Sequence, residues 1–375
     1  MDGGAAVTAS ARARVMHAEQ AVFTSIRSPM GEGYRIVAAS RGISPDEKRE
    51  IVPCAPSHGS LCDSSASATG LASFALSSGR RCIFLSRNGG AEHTGRGGCR
   101  VLTWVLVMEP EVFRRFRCDP FRVEAVALRE TGGKLPETSP ARMEPISLPA
   151  ENDRWAAQSD QVGILPPKDD LEHVTHLLSA MLAQRRTLVV GAPAPRAILR
   201  LVLGATPAAR RQRLSVSYGL KFSPARRYEF ILADASPSEI ERIVRDHEID
   251  LIRWESLPTS ASSPFGTWLR FVRQQWEVGR VGEVERLSAE LTEDCSPMLL
   301  QRIANLCEDI ERVPAADRSL LRELTRRHLN AGPTADVQRR LLSEFRTAAE
   351  ARLVALEQAE QEALAAGEKG VQDKA

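Results

Sequence analysis

The apolar residues in the first third of the chain form short blocks that are separated by glycine, proline and polar residues. Short blocks rich in valine, isoleucine, leucine and aromatic residues are typical of β-strands. The block at residues 101–108, VLTWVLVM, is apolar on both faces, which predicts a central strand covered on each side. Together the blocks predict strands at residues 20–26, 34–39, 71–75, 81–85, 100–108 and 122–128.

Helix start signals interrupt this β-rich part at two places. Ser44 is followed by a proline and two acidic residues, which predicts an N-capped helix over residues 45–51. The triplet Glu-Pro-Glu at residues 109–111 predicts a second short helix directly after the central strand. Residues 1–18 are small and polar, and we expect them to be disordered.

Helical and strand patterns alternate in the middle of the chain, which predicts a small three-layer α/β sheet. The predicted helices are 170–184, 195–203 and 237–246, and the predicted strands are 187–190, 214–218, 228–232 and 251–254. Strands 214–218 and 228–232 follow each other without a helix between them. Their succession predicts some antiparallel pairing.

The last part of the chain is entirely helical in its periodicity. Helices are predicted at 265–278, 281–292, 297–311, 315–329 and 335–366, the last ending with Gly367 as its C-cap. The predicted fold class is therefore mixed α/β (α+β), with a β-rich N-terminal domain, a small α/β middle domain and a helical C-terminal region. The predicted boundaries are 1–18 for the disordered N-terminus, 19–128 for the N-terminal domain, 129–168 for a proline-rich linker, 169–257 for the middle domain and 264–367 for the helical region.

The long last helix carries one narrow apolar stripe, because its large apolar residues recur at spacings of three and four. The stripe consists of Leu342, Phe345, Ala349, Leu353 and Leu356. Two interpretations stay open. The first half of the helix packs on the preceding helices while the second half projects into solvent, or the stripe docks a protein partner or a second copy of the chain.

Composition narrows the class of protein without naming a function. Hydrophobic residues make up 43% of the chain and charged residues 26%, as in globular soluble proteins. The formal net charge is +2, so the whole molecule does not attract nucleic acid or membrane by its charge. The sequence contains no apolar stretch of the length of a signal peptide or a membrane helix, and we expect a cytoplasmic protein.

Metal and cofactor sites are not predicted. The seven cysteines are scattered without a C-x-x-C pair, so we expect reduced thiols rather than disulfides or a zinc site. His173 and His176 share one face of a predicted helix, but a zinc site needs further ligands beside them.

A phosphate-binding loop is the first catalytic feature to consider, because strand 187–190 runs through Gly191 into a helix. Such a loop needs several glycines, whose N–H groups face the anion, followed by Lys and Ser or Thr. Here Pro193 and Pro195 donate no N–H, and the Gly-Lys-Ser/Thr sequence is missing. The sequence therefore predicts that the chain does not hydrolyse nucleoside triphosphates.

Hydrolase chemistry is the alternative function. His58, Ser60, Cys62 and His93 lie in a loop-rich segment, and pairs of these residue types can form activated nucleophiles. However, Ser60 is not part of a G-x-S-x-G motif, and no acid or amide is evidently placed to orient either histidine. No catalytic residue is predicted with this pattern, and the hydrolase stays the alternative to a binding function.

The charge distribution points to a binding surface. Between Glu172 and Glu229 the chain contains no acidic residue and ten basic ones. Within this basic segment the candidate partner-binding residues are Arg210, Arg211, Arg213, Arg226 and Arg227, and the C-terminal stripe adds Leu342, Phe345, Leu353 and Leu356. A basic surface can meet an acidic protein, a nucleotide or a nucleic-acid backbone, although the absence of RNA-binding motifs argues against nucleic acid. The alternative is that acids from elsewhere in the fold balance these charges.

A family resemblance adds to these patterns. Strand 188–190 with Gly191, and the later stretch RLSVSYGLKFSPARRYEF at residues 213–230, resemble the middle domain of GTPase-associated proteins of bacterial conflict operons. The stretch 20–40, with Gly33-Tyr34-Arg35, and the glycine-rich turn at residues 95–98 are similar to the N-terminal domain of that family. The helical C-terminal region is not matched.

The resemblance implies a non-enzymatic accessory protein of a GTPase that is encoded beside it, in systems that resemble bacterial immunity. We therefore expect an adaptor that acts by binding proteins and has no cofactor. Its partner is expected to be a GTPase or another operon-encoded component, with no membrane association.

Overall fold

The computed structural model describes residues 16–28, 31–92, 98–134, 142–149, 167–256, 263–293, 295–329 and 335–372. By its internal contacts the chain divides into two compact units, Met1–Thr259 and Ser260–Ala375. In the described residues, all strands belong to the first unit and the second unit is helical. The mixed α/β fold class is thereby confirmed. Of the segment expected to be disordered, residues 1–15 lie outside the described part and residues 16–18 begin the first strand.

The described residues of the first unit form one sheet of eleven strands. The strands are β1 (Met16–Ser28), β2 (Gly31–Ser40), β3 (Thr69–Ala75), β4 (Arg81–Ala91), β5 (Cys99–Met108), β6 (Arg142–Met143), β7 (Ile146–Leu148), β8 (Thr187–Val190), β9 (Val216–Tyr218), β10 (Phe230–Leu232) and β11 (Asp250–Arg253). Their order is β11-β8-β10-β9-β3-β4-β5-β1-β2-β6, and β7 pairs with β1.

The sheet has an antiparallel part and a parallel part. Strands β1 to β5 pair antiparallel, as expected for a β-rich N-terminal segment, and β8 to β11 pair in parallel. The two parts meet where β3 pairs antiparallel with β9, in the register Leu71↔Tyr218. The segments predicted as N-terminal and middle domains thus share one sheet and lie in one compact unit. The segment 129–168, predicted as a linker, contributes β6 and β7 to this sheet.

The predicted antiparallel pairing of the two consecutive middle strands is wrong. β9 and β10 pair in parallel, with Phe230 opposite Val216. The connection between them returns the chain to the starting edge of β9 without a helix. The antiparallel neighbour of β9 is β3, which lies far away in sequence and could not be assigned from local patterns.

The helices of the first unit begin mostly at the predicted residues. They are α1 (Pro45–Cys54), α2 (Pro110–Arg115), α3 (Pro120–Glu130), α4 (Leu171–Leu182), α5 (Pro195–Ala205), α6 (Ala208–Arg213) and α7 (Pro237–Asp246). Helix α1 has a capping box, since the Glu47 N–H donates to Ser44 Oγ at 3.2 Å and the Ser44 N–H donates to the Glu47 carboxylate at 2.9 Å. Helix α6 was not predicted, because its sequence AARRQR has no apolar periodicity.

The strand predicted at residues 122–128 is wrong, because this segment is helix α3. Asp119 caps the helix by accepting a hydrogen bond from the Phe121 N–H at 2.8 Å, and Pro120 occupies the first helical position. Burial of α3 extends around much of its circumference, so its apolar pattern lacks the polar face that marks an amphipathic helix. Short apolar runs of this kind do not distinguish a strand from a buried helix.

The parallel part of the sheet is covered on both faces, as a three-layer α/β arrangement requires. Ile240 and Ile243 of α7 belong to one apolar cluster with Leu188 and Ile231 of the sheet. The chain runs from β8 to β9 through α5 in one direction along the sheet, and from β10 to β11 through α7 in the opposite direction. Right-handed crossings in opposite directions place α5 and α7 on opposite faces.

The second unit consists of helices, which fulfils the expectation for the C-terminal region. They are α8 (Gly266–Glu277), α9 (Val281–Glu290), α10 (Pro297–Arg312), α11 (Arg318–Leu329) and α12 (Asp336–Gln372). Trp268, Trp276 and Ile303 are fully buried in its core. The predicted C-cap at Gly367 is wrong, because α12 continues through this glycine to Gln372. None of the helices in the described part of the chain combines the length and the apolar composition that crossing a membrane requires.

Candidate functional site

A cavity of about 490 Å³ lies at the carboxyl ends of the parallel strands β8, β9 and β10. The connections that follow β8 and β10 leave toward opposite sides of the sheet. In open α/β sheets the crevice at such a switch point is where ligands bind. The cavity therefore occupies the position in which this fold places functional sites.

The sheet side of the cavity is apolar. Val189, Leu232 and the ring of Tyr218 line it. By the alternation of the pleat, Val189 and Leu232 lie on the face opposite to Leu188 and Ile231, which pack on α7. Gly219 follows Tyr218 with a φ of +69°, and a Cβ at this position would lie 2.3 Å from the Thr69 carbonyl oxygen, so only glycine fits this edge of the cavity.

The start of helix α5 forms a second wall. Pro195 is its first residue, and Ala194 before it provides no capping side chain. Arg196 and Ala197, whose N–H groups lie in the uncapped first turn, both line the cavity, as does Arg200 one turn further on. The loop before the helix contains Gly191 in a left-handed conformation with φ +77°. It resembles a phosphate-binding loop in topology only, because its prolines lack donors.

The Arg196 side chain is held in place from three sides. Its Nη1 and Nη2 donate to the two Glu124 carboxylate oxygens at 3.0 and 2.7 Å. It also donates to the Tyr218 hydroxyl and lies over the Phe121 ring, 5.2 Å from its centroid. Burial by itself lowers the pKa of Arg196, but the Glu124 carboxylate outweighs burial and raises that pKa. The Glu124 charge neutralises Arg196 and ties α5 to α3.

The third wall is polar and acidic. Asp234 follows β10, Asp63 lies in the loop before β3, and Thr69 begins β3; all three line the cavity. The Asp234 N–H donates to Cys62 Sγ at 3.4 Å, and Asp63 accepts from the Ser65 N–H at 2.9 Å. Both carboxylates are exposed to solvent at the mouth of the cavity.

Among the described residues, neither Ser60 nor Cys62 forms a nucleophile–base pair with His58. Burial raises the pKa of the Cys62 thiol to about 11, which leaves it protonated at neutral pH. Ser60 Oγ accepts from Arg226 Nη2 at 2.6 Å and from the Ser57 N–H at 3.0 Å. His93 lies outside the described residues.

The structure nevertheless gives His58 an acidic neighbour that sequence reasoning missed. His58 Nδ1 lies 4.0 Å from Glu92 Oε2, and the Glu92 side chain is almost completely buried. Glu92 also accepts a hydrogen bond from the Tyr34 hydroxyl at 3.1 Å, and burial raises the pKa of Tyr34 to about 12. The sequence contains no signal for this pair, because His58 and Glu92 lie far apart in the chain and belong to no common motif.

His173 and His176, which share one helix face, are not joined by further metal-binding side chains in the described part of the chain. His173 stacks on Trp254, with ring centroids 5.0 Å apart. Burial lowers the pKa of His176. Among the described residues no group of three or more His, Cys, Asp or Glu side chains could hold a metal ion.

The five candidate arginines of the basic segment do not form one surface. Arg211 and Arg226 are buried, and Arg226 donates to the Lys221 carbonyl at 3.0 Å as well as to Ser60. Arg210 is mostly covered and lies 3.8 Å from the Glu229 carboxylate. Arg213 and Arg227 are exposed. The prediction that Arg211 and Arg226 belong to a partner-binding surface is therefore wrong. Arg213 and Arg227 remain the exposed candidates for partner binding.

The burial pattern supports the first interpretation of the C-terminal stripe, and the docking interpretation stays a prediction. Leu342 and Phe345 are buried in their own unit, Leu356 is partly covered and Leu353 is exposed. Residues 357–365, beyond Leu356, are all exposed, as expected of a second half that projects into solvent. Glu360 forms an ion pair with Arg318 at 2.7 Å, and one turn before Leu356 the Arg352 Nε donates to the Ala316 carbonyl at 2.8 Å.

The comparisons with known proteins bear on the N-terminal part of the first unit. Residues 17–127 match the family described as GTPase-associated protein 1, N-terminal domain type 2. This confirms that the chain resembles the GTPase-associated proteins over β1 to β5 and α1 to α3. The resemblance of residues 188–232 to a middle domain lies outside the matched residues. Comparison with curated protein sequences gave no match.

Proposed function

We propose that this chain is a non-catalytic accessory protein of a bacterial GTPase-linked system that resembles an immunity system. It acts in the cytoplasm by binding proteins, and its main partner is a GTPase encoded beside it. The observation that carries this proposal is the match of residues 17–127 to the N-terminal domain of GTPase-associated protein 1.

The chemistry of the cavity supports a role without triphosphate hydrolysis. The loop at residues 191–196 has two prolines that donate no N–H, and it has no lysine to neutralise the phosphates. The positive charge of Arg196 is already paired with Glu124. A triphosphate and its metal would therefore find neither the cradle nor the charge that their binding requires.

The expected lack of triphosphate hydrolysis is tested by measuring the release of phosphate from GTP and ATP by the purified chain. We expect no turnover above the level of an Asp234→Asn variant, which removes the only acid at the end of β10 in the described cavity wall. Turnover that stays with the protein through purification and is lost in this variant would contradict the proposal.

The hydrolase stays the second candidate because His58 lies beside the buried Glu92 carboxylate, as a general base lies beside its orienting acid. Alanine substitution of Cys62 and of His93 distinguishes the two candidates. Loss of biological function with intact folding and intact complex formation would favour the hydrolase. Retention of function in both variants is expected of the accessory protein.

A further inference from the structure

We propose that four arginines at one edge of the sheet form a docking surface for an acidic segment of a protein partner. The members of this arginine surface are Arg115, Arg117, Arg213 and Arg227. The sequence made candidates of Arg213 and Arg227, and the structure adds Arg115 and Arg117. The partner rests on the proposed accessory function, in which a GTPase supplies the acidic segment.

Strand directions place all four arginines at the same edge. The parallel strands β9 and β10 begin there, and Arg213 and Arg227 each lie three residues before one of them. The pairings of β9 with β3, β3 with β4 and β4 with β5 are all antiparallel, so β5 ends at the edge where β9 begins. Helix α2, which ends with Arg115, follows β5 after one residue. This edge is opposite to the one that holds the cavity.

The buried Arg81 side chain ties α2 to the end of α6. Its Nη1 and Nη2 donate to the Gln212 and Leu214 carbonyl oxygens at 3.3 and 2.6 Å, on either side of Arg213. The same guanidinium lies over the Phe113 ring of α2, 4.8 Å from its centroid. Arg213 and the end of α2 are therefore neighbours that a buried side chain holds together.

The other members lie beside this contact. Ser215, two residues after Arg213, donates its hydroxyl to the Arg227 carbonyl oxygen at 3.3 Å. Arg117 lies in the turn that closes α2. Arg115, Arg213 and Arg227 are exposed, and Arg117 is half-buried. The surface thus combines the ends of two helices with two turns.

The charges of the arginine surface are open to a partner. Acids beside this edge already have basic partners within the first unit, and the pairs are Glu109 with Arg80, Glu111 with Arg114, Glu229 with Arg210 and Asp250 with Arg185. In the part of the chain that the structure describes, the four guanidinium groups of the surface form no hydrogen bond or ion pair. Basic residues in a last helical turn stabilise the helix, but Arg117 and Arg227 lie outside helices and have no such role.

Carboxylates suit this surface better than nucleic acid does. A guanidinium donates two parallel hydrogen bonds to one carboxylate, which makes arginine the preferred residue for carboxylates at interfaces. Binding of single-stranded nucleic acid also uses exposed aromatic rings on which bases stack. The rings next to the surface, Phe113 and Phe116, are fully buried and cannot serve in this way. The surface therefore fits a segment rich in aspartate and glutamate.

Fluorescence anisotropy of a labelled synthetic peptide of about ten residues, mostly glutamate, tests the surface without the GTPase when the full chain is titrated in. We expect a Kd of about 100 µM or tighter at about 50 mM salt, and weaker binding as salt is added. No binding at about 1 mM protein would overturn the proposal. Tighter binding of a single-stranded oligonucleotide of equal charge would overturn it as well.

Two triple variants locate the binding. One neutralises the exposed members of the surface through Arg115→Gln, Arg213→Gln and Arg227→Gln. The control neutralises three exposed arginines of α10 and α11 through Arg302→Gln, Arg322→Gln and Arg326→Gln, with the same change in net charge. We expect about a tenfold loss of peptide affinity in the surface variant and less than about a twofold loss in the control. Equal losses in the two variants would overturn the proposal. If the surface variant melts at a lower temperature than wild type, Arg227→Gln alone decides, with an expected loss of about twofold.

Titration of wild type and surface variant with the GTPase that we propose is encoded beside the chain separates this inference from the accessory role. Equal binding of both by the GTPase would overturn the docking surface and leave the accessory role intact. No binding of wild type by the GTPase would contradict the accessory role, and the peptide titration would still decide whether the surface binds acidic segments.

Discussion

The Glu47 carboxylate joins the start of α1 to the turn that precedes β4. Besides capping α1 through Ser44, it accepts a hydrogen bond from Ser78 Oγ at 2.8 Å and forms an ion pair with Arg80 at 3.1 Å. Burial of the carboxyl alone raises its pKa. The Ser44 and Ser78 hydrogen bonds and the Arg80 charge outweigh burial, so the pKa of Glu47 is lowered. The ionised form is therefore the one that stabilises the fold.

We predict that Glu47→Gln lowers the free energy of unfolding by about 1–3 kcal/mol at neutral pH. A lowered pKa in the folded state gives stability that is present above the unfolded-state pKa, about 4.3, and is lost as the pH falls through the folded value. Denaturant unfolding at several pH values should thus show the difference between wild type and variant disappear below about pH 4. Glu111→Gln is the control, because Glu111 is an exposed partner of Arg114 and its loss should cost less than about 1 kcal/mol. A pH-independent difference for Glu47→Gln would contradict this assignment.

Helix α12 is the element whose role changes most once its contacts are known. The stripe predicted from sequence divides into a buried half, with Leu342 and Phe345, and a half in which Leu353 is exposed. A truncation after Asn330 would remove both halves, so it could not separate a packing role from a docking role. Single substitutions on the two halves can.

We predict that Phe345→Ala lowers the stability of the helical unit by about 3–5 kcal/mol, because it empties a buried aromatic site. Leu353→Asp should change stability by no more than about 0.5 kcal/mol, since Leu353 is exposed. Thermal unfolding measures the first effect, and partner binding measured on both variants measures any docking role of the exposed half. An unchanged melting temperature for Phe345→Ala would contradict the packing assignment.

Elements with local signals were predictable, and elements that depend on distant contacts were not. Helices α1 and α7 begin at the predicted residues, and the structure shows that each is capped by the preceding serine and by a glutamate three positions later. The strand predicted over α3 failed because a buried helix and a buried strand share an apolar run. In the sequence, only the succession of strand 187–190, Gly191 and a helix indicated the place of the cavity.

The sequence also does not show which partner a charged residue has, because the partners lie far apart in the chain. The Arg196–Glu124 pair joins residues 72 positions apart, and Arg226 reaches Ser60 across 166 positions. A run of basic residues shows how much charge is present but not which side chains the sheet will bury. Arg211 and Arg213 are two positions apart on α6, yet one is buried and the other exposed.

At the scale of the whole molecule, the near-neutral net charge leaves any electrostatic steering to local surfaces. We predict that reversing the exposed Arg213 and Arg227 to Glu slows association with the partner and reduces the salt dependence of its rate. The matched control reverses Arg302 and Arg326, which are exposed on α10 and α11 and give the same change in net charge. The two double variants are compared by their stopped-flow association rates at several salt concentrations. Equal slowing by both pairs would contradict a specific role of the basic segment.

The most direct test of the proposed accessory role is calorimetric binding of the purified full chain to the GTPase that we propose is encoded beside it. We expect a stoichiometric complex with a Kd of about 1 µM or tighter, formed without GTP turnover by the chain itself. Absence of binding at about 100 µM, with both proteins folded, would contradict the proposed accessory role.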